Sequence, residues 1–236
     1  KGSLNKVAYY FNGTVPRLSQ QFRGSTSKRI FFGSWETYFL LAEAAERGWT
    51  TPVNGKTAYE TGIAKSFEYW GIVPGAYLSS NEYNRMGTSV NWDHTTEPPA
   101  THAMNFENGY TGTNGVANIP YPKNDLYKNG AVKNDRLTKI ITQKFIAQVP
   151  WQPLEAWSDH RRLGLPFFEN PAIENPLVDL PALTDANYMT SNVKFFPQRI
   201  KYPSTLQNTN ANGYQQATAA LGGPDGVFTP LWWAKK

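Results

Sequence analysis

The chain has 236 residues, 40% of them apolar and 17% charged, enough apolar material for a buried core. Its net charge is +5, but the basic residues are dispersed, with nothing longer than pairs such as Arg161-Arg162, which excludes the basic stripe of a nucleic-acid surface. No cysteine is present, so disulfides and thiolate metal sites are excluded, and no apolar run approaches the ~20 residues of a membrane-spanning helix.

Residues 1–32 read as extended segments and loops, punctuated by Asn12-Gly13 and Arg23-Gly24. The chain opens without Met or a leader and reads like the middle of a protein, so a processed or proteolysed fragment is expected. The first helix is expected over 34–48, with Ser34 as N-cap, Glu36 in the positive first turn, and Gly48 as the left-handed stop. Tyr38, Leu41, Ala42 and Ala45 form its i, i+3, i+4, i+7 stripe. A second helix is expected over 57–70, with Tyr59, Ile63, Phe67 and Trp70 as its apolar face and Gly71 at its end. A loop around Pro52-Gly55 joins the two into an αα-hairpin, and Ala42, Ala45, Gly62 and Ala64 allow close approach. One such hairpin is about the ~34 residues of a tetratricopeptide unit, and such units need neighbours to be stable. The hairpin is therefore expected to pack on helical material outside this chain.

Residues 72–132 carry no helical periodicity and are rich in Asn, Gly, Thr and Pro. A stretch of this length inside a domain is ordinarily functional or disordered, and its many aromatic residues argue for ordered loops with short strands. Flat aromatics beside amides and carboxylates suit stacking on a ligand ring while hydrogen-bonding its polar groups. Tyr83, Trp92 and Tyr110 are the candidate stacking residues, with Asn91 and Asp93 as polar partners. Replacing Trp92 with alanine is expected from its place in this loop to weaken ligand binding with little loss of stability.

A third helix is expected from the caps Asn134-Asp135 to Gln148, with Leu137, Ile140, Ile141 and Phe145 buried and Pro150 as its stop. A fourth, short helix begins at Pro153, turns Leu154 and Trp157 inward, and ends at Gly164. Prolines 166, 171, 176 and 181 make the following segment loop and extended chain. Asn212–Leu221 reads as a last helix stopped by Gly222-Gly223, and Trp232-Trp233 as an aromatic pair pinning the chain end into the core.

Catalytic signals are weak. His94, His102 and His160 match no metal-ligand spacing. Ser158, Asp159 and His160 are adjacent on one short helix and cannot form a triad. Glu43 and Glu46 read as a solvated helix face, and Asp93 and Glu97 share a loop without marks of an acid and a nucleophile. Arg161-Arg162 suit a structural ion pair or the negative end of the fourth helix. No enzyme activity, cofactor or metal is expected.

Three segments, in this order, resemble the SusD/RagB family: SWETYFLLAEAAERGW, ITQKFIAQVPWQPLEAWSDHRRLGLP, and QRIKYPST…ALGGPDGVFTPLWWAKK, with NWDHTTEPPA between the first two. Thr205-Leu206 departs from the glutamate often found after the YPS run in that family. The resemblance covers about residues 33–236 and implies the C-terminal half of one SusD-like domain. It implies a mainly α fold: a tetratricopeptide-like hairpin (34–71), a loop-rich ligand face (72–132), further helices (133–164), and extended segments with a closing helix (165–236). It also implies non-enzymatic capture of oligosaccharides at the bacterial outer membrane by a surface-exposed lipoprotein. The lipid anchor would lie in an N-terminal half outside this chain, and a SusC-like TonB-dependent transporter would be the partner. A peptide-binding uptake protein of the same family is the first alternative, and a glycoside hydrolase the second.

Overall fold

The computed structural model describes residues 22, 24–107, 111–168, 184, 189–191 and 197–232. Helix α1 (Ser34–Glu46) and helix α2 (Gly55–Trp70) form the expected antiparallel hairpin. Gly33, rather than Ser34, is the N-cap of α1, and no side chain caps it. A Cβ at Gly33 would collide with the Trp35 indole, so the chain needs glycine at the cap and Ser34 falls inside the first turn. The buried stripe is Trp35, Phe39 and Ala42 with Glu36 and Glu43, rotated from the Tyr38, Leu41 and Ala45 expected from hydropathy. Two glutamates on the inner face hid that stripe, because isolated carboxylates are almost never buried.

Asn54 caps α2 by accepting from the Thr57 amide at 2.8 Å, so the helix starts two residues earlier than expected. Tyr59 and Ile63 are buried, Phe67 is packed at the edge of the core, and Gly71 closes the helix at φ 66°. Gly62 faces Phe39, and a methyl group there would lie 3.1 Å from its ring, so the close approach of the two helices rests on Gly62. Ala64 is exposed and plays no part in it.

Helix α3 (Arg136–Gln148) packs on both members of the hairpin. Asp135 caps it by accepting from the Thr138 amide at 2.9 Å. Ile140 and Ile141 are buried as expected, while Leu137 and Phe145 are only partly so. Thr138, Lys139, Thr142, Gln143, Lys144 and Gln148 are buried too, so α3 is enclosed on most sides. Helix α4 (Pro153–Leu163) starts at Pro153 and ends at Gly164 with φ 72°, as the sequence implies, but its facing is reversed. Leu154 and Trp157 are 77% and 45% exposed, and Ala156, Asp159 and His160 point inward. The cause is electrostatic: Asp159 lies 2.7 Å from the buried Lys144, and His160 Nδ1 lies 3.0 Å from the Pro166 carbonyl. These contacts fix which side of α4 meets α3.

Within 72–132 the chain forms an antiparallel hairpin, β1 (Thr101–Glu107) and β2 (Asn114–Pro120), paired from Thr101↔Pro120 to Glu107↔Asn114. Short strand β3 (Lys123–Asn124) pairs in parallel with β4 (Thr190–Ser191). Helices α5 (Leu206–Thr209) and α6 (Ala211–Leu221) close the chain, with Gly222 as the left-handed stop. Trp232 is 79% exposed and so does not pin the terminus into the core; Trp233 lies outside the described residues. The proline-rich stretch beyond Phe168 is also mostly outside them. Leu165 and Phe167 just before it are fully buried.

The core joins Trp35, Phe39, Tyr59 and Ile63 of the hairpin to Ile140 and Ile141 of α3, with Trp92 entering from the long loop. At and beside the hairpin, Phe31, Leu40, Trp49 and Val73 are exposed.

Candidate functional site

The loop before β1 is held by polar chemistry that the sequence reading missed. Lys139 is fully buried, and its ammonium donates to the Ser89 carbonyl at 2.9 Å, to Ser89 Oγ at 2.7 Å and to Asn134 Oδ1 at 2.6 Å. Asn134 Nδ2 in turn donates to the carbonyls of His94 and Thr96 at 2.9 and 2.7 Å. Glu97 accepts from the backbone amides of Lys133 and Asn134 at 2.8 and 3.2 Å. Ser89 Oγ also lies 2.9 Å from His94 Nδ1. Residues 88–97 are thus stapled to the start of α3 by neutral acceptors around one buried cation and by the Glu97 carboxylate on two backbone amides. A cation so placed is tolerated only because every donor finds a partner.

The stapled loop presents the candidate residues. Trp92 is 5% exposed; its ring sits 5.2 Å from that of Tyr59, and the Arg136 guanidinium lies 5.2 Å from it on the α3 side. Asn91 Nδ2 donates to Asn81 Oδ1 at 2.9 Å, and Asn91 Oδ1 accepts from the Asp93 amide at 3.0 Å. The exposed Asp93 carboxylate pairs with Lys56 Nζ at 2.5 Å. An edge of Trp92, with Lys56, Asn54, Glu46 and Arg136, lines an open depression of about 260 Å³. Asn91, Trp92 and Asp93 are therefore brought together. Tyr83 is tied elsewhere on the loop: its hydroxyl donates to the carbonyls of Thr96 and Glu97, and its ring lies 5.5 Å from that of His94. Tyr110 lies outside the described residues. Lys56 and Arg136 were not among the expected site residues; their register beside Trp92 depends on a loop crossing to two helices, which no local pattern reveals.

A second, larger groove of about 1390 Å³ runs along α1 and α4, with Leu40, Trp49 and Trp232 on its walls. Lys144 bridges Glu36 at 2.9 Å and Asp159 at 2.7 Å, both acids and the lysine being buried. Arg162 joins Glu43 at 2.5 Å to Asp159 at 2.8 Å, and Arg47 adds a third contact to Glu43 at 2.8 Å. Glu43 is therefore not part of a solvated face. Burial pushes its carboxyl up, and the hydrogen bonds and charges of Arg162 and Arg47 more than reverse this, leaving it below the usual glutamate range. A carboxyl held ionised in this way is poorly suited to donate a proton. Among the described residues, no three His, Cys, Asp or Glu side chains cluster as a metal site.

The lysines set a pH dependence. Burial lowers both Lys139 and Lys133 to about 8, from an ordinary 10.5. Below about 8 the folded protein carries the full cost of these buried charges. Between the folded and unfolded values the unfolded chain binds more protons, so stability rises with pH. Burial raises Tyr59 and Tyr77 above their ordinary 10.0, so at higher pH the unfolded state loses protons first and stability falls. Thermal midpoints are expected to climb from about pH 7.5 to about 9.5 and then decline. Lys139→Met should flatten the climb, and an equally steep climb in that variant would contradict the assignment.

Comparison with known proteins supplies the family context. The family model described as Susd and RagB outer membrane lipoprotein matches residues 11–234. A SusD homologue from Parabacteroides distasonis ATCC 8503 is 32% identical with TM-score 0.59, over 87% of this chain and 33% of its own. A SusD-like protein from Bacteroides thetaiotaomicron VPI-5482 is 29% identical with TM-score 0.51, over 86% of this chain and 36% of its own. A chitin-binding SusD homologue from Flavobacterium johnsoniae is 27% identical with TM-score 0.50, over the same two shares, 86% and 36%. The chain thus spans about a third of the length of these solved relatives. No curated protein sequence matches it.

Proposed function

We propose that this chain, which belongs to the SusD-like family of outer-membrane lipoproteins, is part of a protein that captures oligosaccharides at the bacterial cell surface and passes them to a SusC-like TonB-dependent transporter. The observation that carries the reading is the match over residues 11–234 together with a chitin-binding homologue among the structural relatives. The whole protein would be lipid-anchored through a region outside this chain, and its action would be binding without turnover.

The ligand face we assign to the loop of residues 81–97 and the depression beside it. Asn91 and Asp93 offer hydrogen-bonding groups, Tyr83 and the edge of Trp92 offer ring surface, and Tyr110 belongs to the same set by sequence. The polar staple to α3 supports this assignment, because a preorganised loop loses less entropy on binding. An array of glycans and peptides probed with the intact protein tests the reading. Retention of oligosaccharides, weakened by Asn91→Ala and Asp93→Ala, is expected. Retention of peptides alone would replace the reading with the peptide-uptake alternative.

A further inference from the structure

At the corner between α3 and α4 the chain forms a pocket separate from the loop face. It encloses about 310 Å³, with Phe145, Pro150, Pro153, Trp157 and Phe168 on its walls. Phe145 and Phe168 meet edge to face with centroids 5.2 Å apart, which makes one side a fixed aromatic surface. Trp157, turned outward by the reversed facing of α4, keeps 45% of its surface open. Gln148 and Gln152 supply its polar side chains, and among the described residues no charged side chain contributes to it.

The two glutamines are unusual. They are 1% and 6% exposed, and the Oε1 atom of each is buried without a hydrogen-bond donor among the described residues. Gln148 Nε2 donates to Glu36 Oε2 at 3.0 Å, which settles which end of that amide is oxygen. Gln152 Nε2 reaches only the Phe31 carbonyl, at 3.5 Å, the longest such contact a hydrogen bond allows. Native proteins seldom leave buried acceptors unmet, and those that remain call for an explanation. Gln152 is also free to respond: the terminal torsion of a glutamine is broad, and turning it gives up only that one long contact.

We propose that this pocket is a subsite for one neutral sugar ring, an assignment that rests on the glycan-capture reading above. The apolar CH face of the ring lies on Trp157. Its hydroxyls donate to the Gln152 amide, turned into the pocket, and approach Gln148 behind it. The volume is at the lower end of small-molecule sites, roughly 300 Å³, and so suits one ring rather than a longer chain. The described lining carries no charge, which disfavours uronic acids and sulfated sugars, whose anions would be desolvated with no cation among those residues to meet them. A purely apolar side chain from a peptide would fill the space but leave both amide oxygens unmet.

The test is a titration of the intact protein with methyl β-glucoside and methyl N-acetyl-β-glucosaminide, followed by saturation-transfer NMR, with glucuronic acid as the charged probe. Both neutral glycosides are expected to bind and glucuronic acid to bind far more weakly. Trp157→Ala and Gln152→Leu should each weaken neutral binding by about tenfold, the loss of a stacking face or of a matched hydrogen bond. Trp157→Phe, which keeps a ring, should retain part of the affinity, and Leu154→Ala, on the exposed side of α4, should change nothing. Equal binding of glucuronic acid, or neutral binding unmoved in both Trp157→Ala and Gln152→Leu, would overturn the subsite. If oligosaccharides bind and only Asn91→Ala weakens them, the subsite is wrong and the capture reading stands. If neither single rings nor oligosaccharides bind, both fail.

Discussion

Replacing Lys144 with alanine is expected to destabilise the protein by about 3–5 kcal/mol, the cost of leaving buried carboxylates without their cation. Lys144 is 4% exposed at its side chain and joins two acids, Glu36 on α1 and Asp159 on α4, to the centre of α3. Burial opposes its charge, but the pull of Asp159 and Glu36 outweighs that opposition and holds its ammonium above the ordinary lysine value. The same contacts decide how α4 faces, so the variant loses both an ion network and the register of a helix. Arg162, whose side chain is 41% exposed, makes the comparison: Arg162→Ala should cost far less, because solvent can replace part of what it supplies. Urea unfolding of both variants checks this. A Lys144→Ala midpoint close to the unaltered protein, at unchanged slope, would mean that water reaches the two acids and that the triad does not organise the helices.

Trp92→Ala is expected to cost about 3–5 kcal/mol, in the range of large aromatic truncations in a core. The ring is 5% exposed, packs against Tyr59, and completes the hydrophobic cluster of the hairpin and α3. This corrects the sequence-based expectation of little stability loss at that position, which followed from its place in a loop rich in Asn, Gly and Thr. Trp92→Phe should recover part of the loss. Thermal unfolding of the two variants is the measurement, and an alanine variant that melts with the unaltered protein would put the indole outside the core. Because Trp92 supports the fold, Asn91→Ala and Asp93→Ala are the cleaner tests of the proposed ligand face.

Much of the fold was legible because it rests on local chemistry. Asp135 and the glycines at 71, 164 and 222 mark helix ends through a cap and left-handed residues, and the structure uses each of them. The facings of α1 and α4 were not legible, for one shared reason. Glu36, Glu43 and Asp159 look like surface residues in sequence, yet each is buried against a cation on another helix. Pairing of that kind has no periodic signature. The candidate site divides in the same way. Asn91, Trp92 and Asp93 are neighbours in sequence and stay neighbours in space, whereas Lys56 and Arg136 join them only through tertiary packing. Lys139, the centre of the polar staple, sits where an amphipathic pattern would place a solvated lysine, and only the carbonyl of Ser89 and the amide of Asn134 explain its burial.

The proposed role is capture of oligosaccharides that leave the protein uncut. The decisive measurement is calorimetric titration of the intact protein with a panel of neutral oligosaccharides, with recovery of the sugar afterwards. Saturable binding of at least one member and full recovery of uncut sugar are expected. Cleavage of the bound sugar, or absence of binding to every member while peptides bind, would contradict it.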